Sequence, residues 1–256
     1  MRPADELRDT VEAYLGSLRF APELGDLEQA LRYSLESGGK RVRPVLCLAV
    51  AEACGERMED ALPAAAALEL VHTFSLVHDD LPALDDDAER RGRPSTHVAF
   101  GDGVALLAGD ALLAEALRLA LTYESADVAR ELAEATLGMI GGQYRDITGD
   151  GADLDELHRL KTGRLFVAAV RIGLDVAGVP DDERGRWLAF GDEVGQLFQV
   201  VDDLLDGDGY AERIGREATS RLADEIAERA RLCLDELTVD TSVLRQLVDS
   251  FAVRTA

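Results

Sequence analysis

Apolar residues recur at intervals of three and four positions along nearly the whole chain. This spacing is typical of one face of an α-helix, and no stretch of four to eight residues shows the strict alternation of a half-buried strand. Glycine and proline residues fall between the periodic segments, as at Gly55, Pro63 and Pro180. The pattern predicts helices over residues 4–19, 26–37, 42–54, 62–81, 103–121, 126–146, 153–175, 181–206, 211–237 and 241–253.

No serine- or glycine-rich linker, low-complexity tract or repeat period divides the chain. We therefore expect an all-α fold, a single domain over residues 1–256 built from about ten helices. A hydrophobic content of 47% with only 5% aromatic residues favours close packing of alanine, leucine and valine between helices.

The charge balance narrows the possible partners. The chain has 27 lysines and arginines against 50 aspartates and glutamates, so its net charge is −23. A field of this sign repels nucleic acid and anionic membranes, and we expect neither as a partner. It would also repel an anionic substrate unless cationic side chains gather locally.

Cysteine usage and the N-terminus bear on the compartment. The three cysteines have no metal-binding spacing, and an odd number argues against a disulfide framework. The N-terminal stretch has no apolar signal region, and no run approaches eighteen uncharged residues. We expect a cytoplasmic protein without an integral membrane segment.

A first acidic cluster closes an apolar helical run. Five aspartates fall within nine residues, namely Asp79, Asp80, Asp85, Asp86 and Asp87. On an unbroken helix Asp79 and Asp85 would point about 120° apart, since six residues advance about 600°. Pro82 prevents a regular helix, and a proline-bent turn could bring the two around one cation. The alternative is a solvated acidic loop, which is common in so acidic a protein.

A second cluster closes another apolar run far along the chain. Gln199, Asp202, Asp203 and Asp206 are spaced as one polar stripe of a helix, flanked by apolar residues that predict burial on both sides. Neighbouring buried carboxylates favour protonation unless a divalent cation is bound. Oxygen ligands without cysteine or paired histidine select magnesium or calcium, and phosphate chemistry favours magnesium.

Lysine is nearly absent from the chain. Of the 27 basic residues only Lys40 and Lys161 are lysine, in the stretches GGKRVRP and KTGR. Codon bias and chance are one explanation, and the other is a need for compact ammonium charges at these two places. Lys40, Arg41 and Arg43 would gather near a helix N-terminus, where backbone N–H groups also favour anions. Lys161, with Thr162 beside it, could instead be an ordinary surface lysine.

His72 lies on the same helix face as Ser75 and Asp79. A histidine in such a position is often a satisfied core residue. Glu69 and His72 also form the E-x-x-H pattern of carboxylate-bridged di-iron bundles, which need a second copy. The nearest candidate for that copy is Asp155 with His158, so this interpretation has little support.

Six motifs occur in order: GGKRVRP, HDDLPALDDDAERRGRPSTH, GDALL, GGQYRDI, KTGRLF and FQVVDDLLD. From about residue 25 to residue 206 this set resembles that of the trans-isoprenyl diphosphate synthases. The resemblance implies an isoprenoid synthase fold, a helical bundle around a central cavity, and a homodimer. It also implies that an allylic diphosphate ionises with the help of three Mg²⁺ ions and alkylates isopentenyl diphosphate.

The resemblance assigns roles residue by residue. The implied magnesium site has Asp79 and Asp85 as ligands of two ions, with Asp80 supporting them, and Asp202 as the ligand of the third, with Asp203 and Asp206 close by. The implied holders of the allylic diphosphate are Arg90 and Lys161. The implied holders of isopentenyl diphosphate are Lys40, Arg43, His72 and Arg91. The groups implied to face the developing carbocation are Thr162 and Gln199.

Product length in such enzymes depends on the bulk beneath the first aspartate motif. Phe74 precedes Asp79 by five residues, which is about 7.5 Å along a helix. An aromatic side chain there indicates a shallow floor and a farnesyl product. Ser75, next to it, leaves some room, so a geranylgeranyl product stays possible.

One departure from the family pattern comes after Asp206. A lysine-bearing loop is expected there, whereas this chain has a shortened connection at residues 207–210 and no lysine beyond Lys161. Arg213 or Arg216 could supply the missing cation. The departure motivates one alternative, a non-catalytic partner subunit of a heteromeric synthase. A second alternative is a class I terpene cyclase, a class that shares the helical fold and an acidic first motif but rarely carries GGKRxRP.

Overall fold

The structure, a computed structural model, describes residues 2–149 and 153–252. The last residue of the segment predicted as helix 241–253 lies outside this range. Within the described residues the chain forms thirteen α-helices: α1 Ala4–Ser17, α2 Glu28–Leu35, α3 Val42–Ala53, α4 Met58–Asp79, α5 Thr96–Phe100, α6 Asp102–Ala120, α7 Asp127–Thr148, α8 Leu154–His158, α9 Arg164–Val176, α10 Gly185–Asp206, α11 Gly209–Ile214, α12 Arg216–Asp235 and α13 Ser242–Ala252.

Smaller elements join these helices. A two-residue antiparallel pair, β1 Glu89–Arg90 and β2 Arg93–Pro94, forms a hairpin after α4. Short 3₁₀ turns cover Pro22–Leu27 and Asp181–Glu183, and a π-helical turn at Arg159–Gly163 links α8 to α9. The all-α prediction is therefore confirmed.

The described residues form thirteen α-helices where the pattern predicts ten, because α5 is not predicted and the segments 153–175 and 211–237 are each divided. The segment predicted as helix 211–237 is broken at Gly215, whose φ of 84° and ψ of 151° leave the helical region. Pro63, expected between helices, lies inside α4. A proline there removes a backbone hydrogen bond. Next to it the hydroxyl of Tyr123 bridges a neighbouring i to i−4 pair, since it donates to the carbonyl of Asp60 and accepts from the N–H of Ala64.

Helix α4 is the centre of the core. It packs against α3, α6 and α9, while α10 packs against α9 and α12. By length and composition α4 could cross a membrane, but 72% of its most apolar window is buried by the rest of the fold. This burial fixes the helix, and so fixes Asp79 at its C-terminal end.

The turn after α4 folds back on the helix end. The N–H of Asp85 donates to the carbonyl of Asp79 over 2.9 Å, as expected for a proline-bent turn. The β1–β2 hairpin comes next, with Arg91 at its tip in the left-handed region at a φ of 55°. This path brings Arg90 and Arg91 back toward the end of α4.

Helix α7 is apolar on two faces. Its buried face carries Val128, Leu132 and Met139, spaced for the core side of a helix. On other sides of the helix its exposed apolar residues are Leu137, Ile140, Tyr144 and Ile147. An exposed apolar stripe of this kind indicates a surface that meets another apolar partner.

Candidate active site

Two cavities meet between α3, α4, α7 and α10. The first, the apolar cavity, has a volume of about 420 Å³ and is walled by Phe74, Met139, Ile140 and Ile147, with Asp79 and Lys161 at one end. The second, the cationic cavity, has a volume of about 550 Å³ and is lined by Lys40, Arg43, Arg90, Arg91 and Asp202. The residues that line both are Arg43, His72, Leu76 and Thr162.

Asp79 lies in an environment that favours a bound cation. It is half-buried, and this burial raises its pKa to about 6, against the attraction of Lys161. The negative charge of Asp85 adds to the rise of the pKa, so the two carboxylates are close enough to interact. A divalent cation beside Asp79 would offset both the cost of burying its charge and the repulsion from Asp85, which is itself exposed.

Asp80 has a different environment, although it is the next residue. It is only 3% exposed, and its Oδ1 accepts two N–H groups from the guanidinium of Arg90, one of them at 2.9 Å. Arg90 thus occupies the carboxylate that the sequence assigned to magnesium. Arg90 lines the cationic cavity rather than the apolar one, whereas the sequence placed it on the allylic diphosphate with Lys161.

The second acidic cluster is divided in the same way. Asp202 is half-buried and lines the cationic cavity, as a pocket ligand would. Asp203 is 3% exposed, and both its oxygens accept hydrogen bonds, from the Gln199 amide at 2.7 Å and the Tyr210 backbone N–H at 2.9 Å. Asp206 is exposed. The expectation of three buried carboxylates is therefore wrong, because only Asp203 is fully enclosed.

Arg43 lies on an aromatic platform. Its guanidinium carbon is 4.6 Å from the ring centre of Phe166 and 5.6 Å from that of Phe198, and the side chain of Lys40 lies over the same Phe198 ring. Burial lowers the pKa of Arg43 to about 10, so the group stays charged at neutral pH. Its Nε is buried and makes no hydrogen bond within the described residues, which leaves it available to an anion.

Arg41 fixes the GGKRVRP loop between Lys40 and Arg43. It has a left-handed backbone with a φ of 48°, is 3% exposed, and pairs with Glu69 and Glu12. Because Glu69 is held by Arg41, the di-iron interpretation of Glu69 and His72 is wrong. Among the described residues no three acidic, histidine or cysteine side chains form a ready-made metal cage.

His72 and Arg91 complete the wall of the cationic cavity. Burial and the nearby charges of Arg43 and Arg91 hold the pKa of His72 well below its usual range, so its imidazole is neutral. A neutral imidazole can donate only one N–H to an anion. Arg91 donates to the carbonyl of Gly38 and thereby ties the hairpin to the GGKRVRP loop.

The second lysine is held by a π-helical turn. Lys161 lies in the Arg159–Gly163 turn and pairs with Asp146 of α7. A side chain at Gly142 would place its Cβ 2.6 Å from the backbone nitrogen of Lys161, so this glycine permits the close approach of α7. Such turns often mark functional positions because they redirect side chains within a helix.

Thr162, the next residue of that turn, faces the junction of the cavities. Its hydroxyl donates to the side-chain oxygen of Gln199 over 2.7 Å, so the structure joins the two residues that the sequence assigned to the carbocation. At the other end of the apolar cavity Phe74 is 6% exposed and packs edge-on to His78 at 5.2 Å. Ser75 lines the same cavity and donates to the carbonyl of His72.

Sequence reasoning missed Gln143. Both polar atoms of its side chain are buried and make no hydrogen bond within the described residues, although the residue lines the apolar cavity beside Lys161. Buried amides are nearly always paired, so this one is available to hydrogen-bond a group that enters the apolar cavity. The motif GGQYRDI held the only available signal, since it contains this glutamine and Asp146.

The residues present fit a magnesium-held diphosphate. Mg²⁺ in such sites takes one or two carboxylates and completes its shell with phosphate oxygens and water. The pair Asp79 and Asp85 on one side and Asp202 on the other offer this donor set without a closed protein cage.

The profile of the polyprenyl synthetase family matches residues 25–227 of the chain. The chain is 43% identical over 202 residues to a geranylgeranyl diphosphate synthase of Cyanophora paradoxa, covering 73% of this chain and 67% of that one. It is 44% identical over 220 residues to a heterodimeric geranylgeranyl pyrophosphate synthase large subunit of Arabidopsis thaliana, covering 78% of this chain and 59% of that one. It is also 38% identical over 209 residues to a farnesyl diphosphate synthase of Bacillus subtilis, covering 76% of this chain and 71% of that one.

The fold is similar to that of solved structures over their whole length. A geranyltransferase of Legionella pneumophila superposes with a TM-score of 0.88 at 31% identity, covering 98% of this chain and 96% of that one. A geranyltranstransferase of Thermotoga maritima is 27% identical and superposes with a TM-score of 0.84, covering 98% of each chain. With the ordered motifs and the paired cavities, these findings show that the chain belongs to the polyprenyl synthetase family of prenyl-transferring enzymes.

Proposed function

We propose that the enzyme condenses isopentenyl diphosphate with an allylic diphosphate, in the presence of Mg²⁺, to give farnesyl diphosphate. The observation that carries this proposal is the junction of the two cavities at Arg43, His72, Leu76 and Thr162. One cavity suits a hydrocarbon tail with an anionic head at Asp79 and Lys161, and the other suits a second anion. Two substrates held head to head across Thr162 would have their reacting carbons side by side.

The cationic cavity explains how so acidic a protein could bind two anionic substrates. Arg43 and Lys40 would hold the diphosphate of isopentenyl diphosphate, with Arg91 and the neutral His72 on the same wall. Arg90, fixed by Asp80, adds a fork of donors that matches phosphate oxygens. These cationic side chains would therefore make the potential positive inside the cationic cavity, although the net charge of the chain is −23.

The reaction would begin when the allylic C–O bond breaks and pyrophosphate leaves. The double bond of isopentenyl diphosphate attacks the resulting cation, a C–C bond forms, and a proton is lost to the departing pyrophosphate. Mg²⁺ at Asp79, Asp85 and Asp202, with three ions expected by family resemblance, would neutralise the leaving group. Lys161 would add a charge there, while the Thr162 hydroxyl, which donates to Gln199, directs its lone pairs at the cation and Phe74 helps exclude water.

The floor of the apolar cavity supports the shorter product. Phe74 is buried in the wall of that cavity and braced by His78, so it cannot swing away easily. Relatives named for both farnesyl and geranylgeranyl products occur at similar identity, so family resemblance alone does not choose. Phe74→Ala should lengthen the product, and an unchanged product profile would refute this floor.

We propose a homodimer through the exposed apolar residues of α6 and α7. Leu106 and Leu107 of α6 are about half exposed, Leu137 of α7 is 68% exposed, and the two helices pack together. A continuous apolar surface of this kind is costly in water unless another chain covers it. Sedimentation equilibrium should give a dimer, and Leu137→Glu should shift it toward monomer, whereas a monomeric wild type would refute the assignment.

We also propose a reducing, cytoplasmic location. All three cysteines are free thiols, and Cys47 is fully buried among apolar side chains. This usage is typical of compartments in which disulfides do not persist.

One assay tests the proposed function. Purified protein is incubated with Mg²⁺, isopentenyl diphosphate and, separately, dimethylallyl, geranyl and farnesyl diphosphate, and the products are identified by mass spectrometry. The proposal requires chain elongation that stops at fifteen carbons.

The same assay separates the alternatives. A terpene cyclase would convert an allylic diphosphate without isopentenyl diphosphate, and Lys40→Ala would leave it unaffected. A non-catalytic subunit would give no product alone. The proposal instead predicts that Lys40→Ala raises the KM of isopentenyl diphosphate, with Arg57→Ala, an exposed residue away from both cavities, as the matched control.

A further inference from the structure

A chain of hydrogen bonds leads from Asp203 to the junction of the two cavities. The Tyr210 backbone N–H donates to one oxygen of Asp203 at 2.9 Å, and the amide of Gln199 donates to the other at 2.7 Å. The side-chain oxygen of Gln199 then accepts the hydroxyl hydrogen of Thr162 at 2.7 Å. Thr162 lines both cavities, so the chain ends where the reacting carbons would meet.

The direction of every bond in this chain is set by the chemistry of its ends. A backbone N–H can only donate and an ionised carboxylate can only accept. The amide group of Gln199 must therefore turn its NH₂ toward Asp203 and its oxygen toward Thr162. The hydroxyl hydrogen of Thr162 is drawn to that oxygen, which leaves the lone pairs of the hydroxyl free to face the cavities.

This direction matters for a cationic reaction. A hydroxyl that presents lone pairs to a developing positive charge stabilises it, while one that presents its hydrogen opposes it. Asp203 is enclosed by the following turn, since a Cβ on Gly209 would lie 2.1 Å from its carboxylate oxygen. At 3% exposure, and without a place in the lining of either cavity, the carboxylate does not reach a metal held there.

We propose that Asp203 is a positioning residue that sets the hydrogen-bond direction of Gln199 and Thr162, so that oxygen lone pairs face the allylic cation, and that it is not a magnesium ligand. This inference rests on the proposed prenyl transfer and adds the residue that orients its cation-facing pair. It also separates Asp203 from Asp202, its neighbour in the same motif.

The first test is Asp203→Asn. The Tyr210 N–H still needs an acceptor, so the new amide turns its oxygen to Tyr210 and its NH₂ to Gln199. Gln199 must then flip, and the hydroxyl hydrogen of Thr162 points into the cavities. We expect kcat to fall about 10²-fold, with the KM of both substrates and the Mg²⁺ requirement within about threefold of wild type.

Restoring the direction should restore the rate. In the Asp203→Asn/Gln199→Glu variant the new carboxylate accepts from both Asn and Thr162, so the hydroxyl returns to its original direction. We expect at least a tenfold recovery of kcat over Asp203→Asn. In a Thr162→Val background, Asp203→Asn should change kcat little further, because the group through which it acts is gone.

Asp192→Asn, an exposed position on the same helix, is the matched control and should leave kcat unchanged. A rise in the Mg²⁺ requirement of Asp203→Asn would overturn the inference in favour of metal binding. An unchanged kcat, a failed rescue, or an additive effect in the Thr162→Val background would overturn it as well. If Asp203→Asn does not fold, Gln199→Leu replaces it in the Thr162→Val cycle, and additivity there overturns the inference. An inactive wild type would refute the proposed prenyl transfer itself, whereas the results above test the role of Asp203 in an active enzyme.

Discussion

The two acidic helix ends, at Asp79–Asp80 of α4 and at Asp202–Asp203 of α10, have the same arrangement of one cavity-lining and one buried aspartate. In each pair the first aspartate is half-buried and lines a cavity. The second is 3% exposed in both cases and holds a polar side chain of the cationic cavity, Arg90 in one and Gln199 in the other. Successive helical residues point about 100° apart, so two adjacent carboxylates cannot serve one pocket equally.

The two helix ends differ in the elements to which they connect. The α4 end leads into a folded turn and a hairpin that returns Arg90 and Arg91 to the site. The α10 end passes through Gly207 directly into α11, and its carbonyl at Leu204 is capped by Arg216. The α4 end is thus followed in the chain by its own cationic residues, while Asp202 at the α10 end shares its cavity with Lys40 and Arg43 of the GGKRVRP loop.

The largest effect should come from the cavity-facing aspartate of the first pair. Asp79→Asn removes the charge expected to hold Mg²⁺ and the leaving group, and we expect kcat to fall by about 10³-fold. Steady-state kinetics with saturating substrates measure it, and Asp224→Asn, exposed on α12, is the control. Retention of more than a tenth of wild-type kcat would break the assignment.

The buried member of the first pair should affect binding rather than rate. Asp80→Asn frees Arg90 from its anchor, so we expect the KM of isopentenyl diphosphate to rise about 10- to 100-fold while kcat changes less. Asp203→Asn should show the opposite split. Initial-rate measurements that vary each substrate would reveal it, and the same split for both variants would contradict the comparison.

Lys161 belongs to the first end through its interaction with Asp79, and a glycine sets its position. Gly142→Ala forces a Cβ against the backbone of Lys161, and we expect a loss of about 1–3 kcal/mol in the free energy of unfolding. Gly141→Ala is the matched control, because nothing lies within 4 Å of its added Cβ. Urea titrations of both variants check the difference, and equal stabilities would refute the close approach.

The aromatic platform predicts a smaller effect on the cationic cavity. Arg43→Lys keeps the charge but loses the planar stacking on Phe166 and Phe198, so we expect the KM of isopentenyl diphosphate to rise about tenfold. Arg57→Lys at the surface serves as the control. An unchanged KM would show that charge alone suffices.

The smallest effect concerns the α10 end. Arg216 donates to the carbonyl of Leu204 at 2.8 Å and so caps α10, which argues against a role as the missing loop cation. Arg216→Gln should cost about 0.5–1.5 kcal/mol of stability and leave the KM of the allylic diphosphate unchanged. A clear rise of the KM of the allylic diphosphate, in a variant that is still folded at the assay temperature, would show that Arg216 does reach the substrate.

Most of the fold was predictable because helical periodicity and breakers are local signals. The exceptions are positions where the helix boundary depends on contacts or backbone angles that the apolar pattern does not contain. Pro63 lies inside α4, where Tyr123, far along the chain, bridges the N–H of Ala64 and the carbonyl of Asp60 beside it. Gly215 interrupts a periodic segment through a backbone conformation that the apolar pattern does not record.

The candidate site was predictable to the level of motifs and not of side-chain direction. The motifs single out Lys40, Arg43 and both aspartate pairs, and the structure brings Lys40, Arg43, Asp79 and Asp202 to the lining of adjoining cavities. The sequence alone could not show that the side chains of Asp80 and Asp203 turn inward, because their hydrogen-bond partners, Arg90 and the backbone N–H of Tyr210, are brought to them only by the fold. The unpaired amide of Gln143 is likewise visible only when its surroundings are folded.

The division of labour within each aspartate pair is tested most directly by a crystal structure with Mg²⁺, isopentenyl diphosphate and a non-ionisable thiolodiphosphate analogue of the allylic substrate. We predict metal bound by Asp79, Asp85 and Asp202, the tail of the analogue against Phe74, and isopentenyl diphosphate against Arg43. Asp80 and Asp203 should keep their contacts with Arg90 and Gln199. Metal bound directly to Asp80 or Asp203, or both diphosphates in one cavity, would contradict this account.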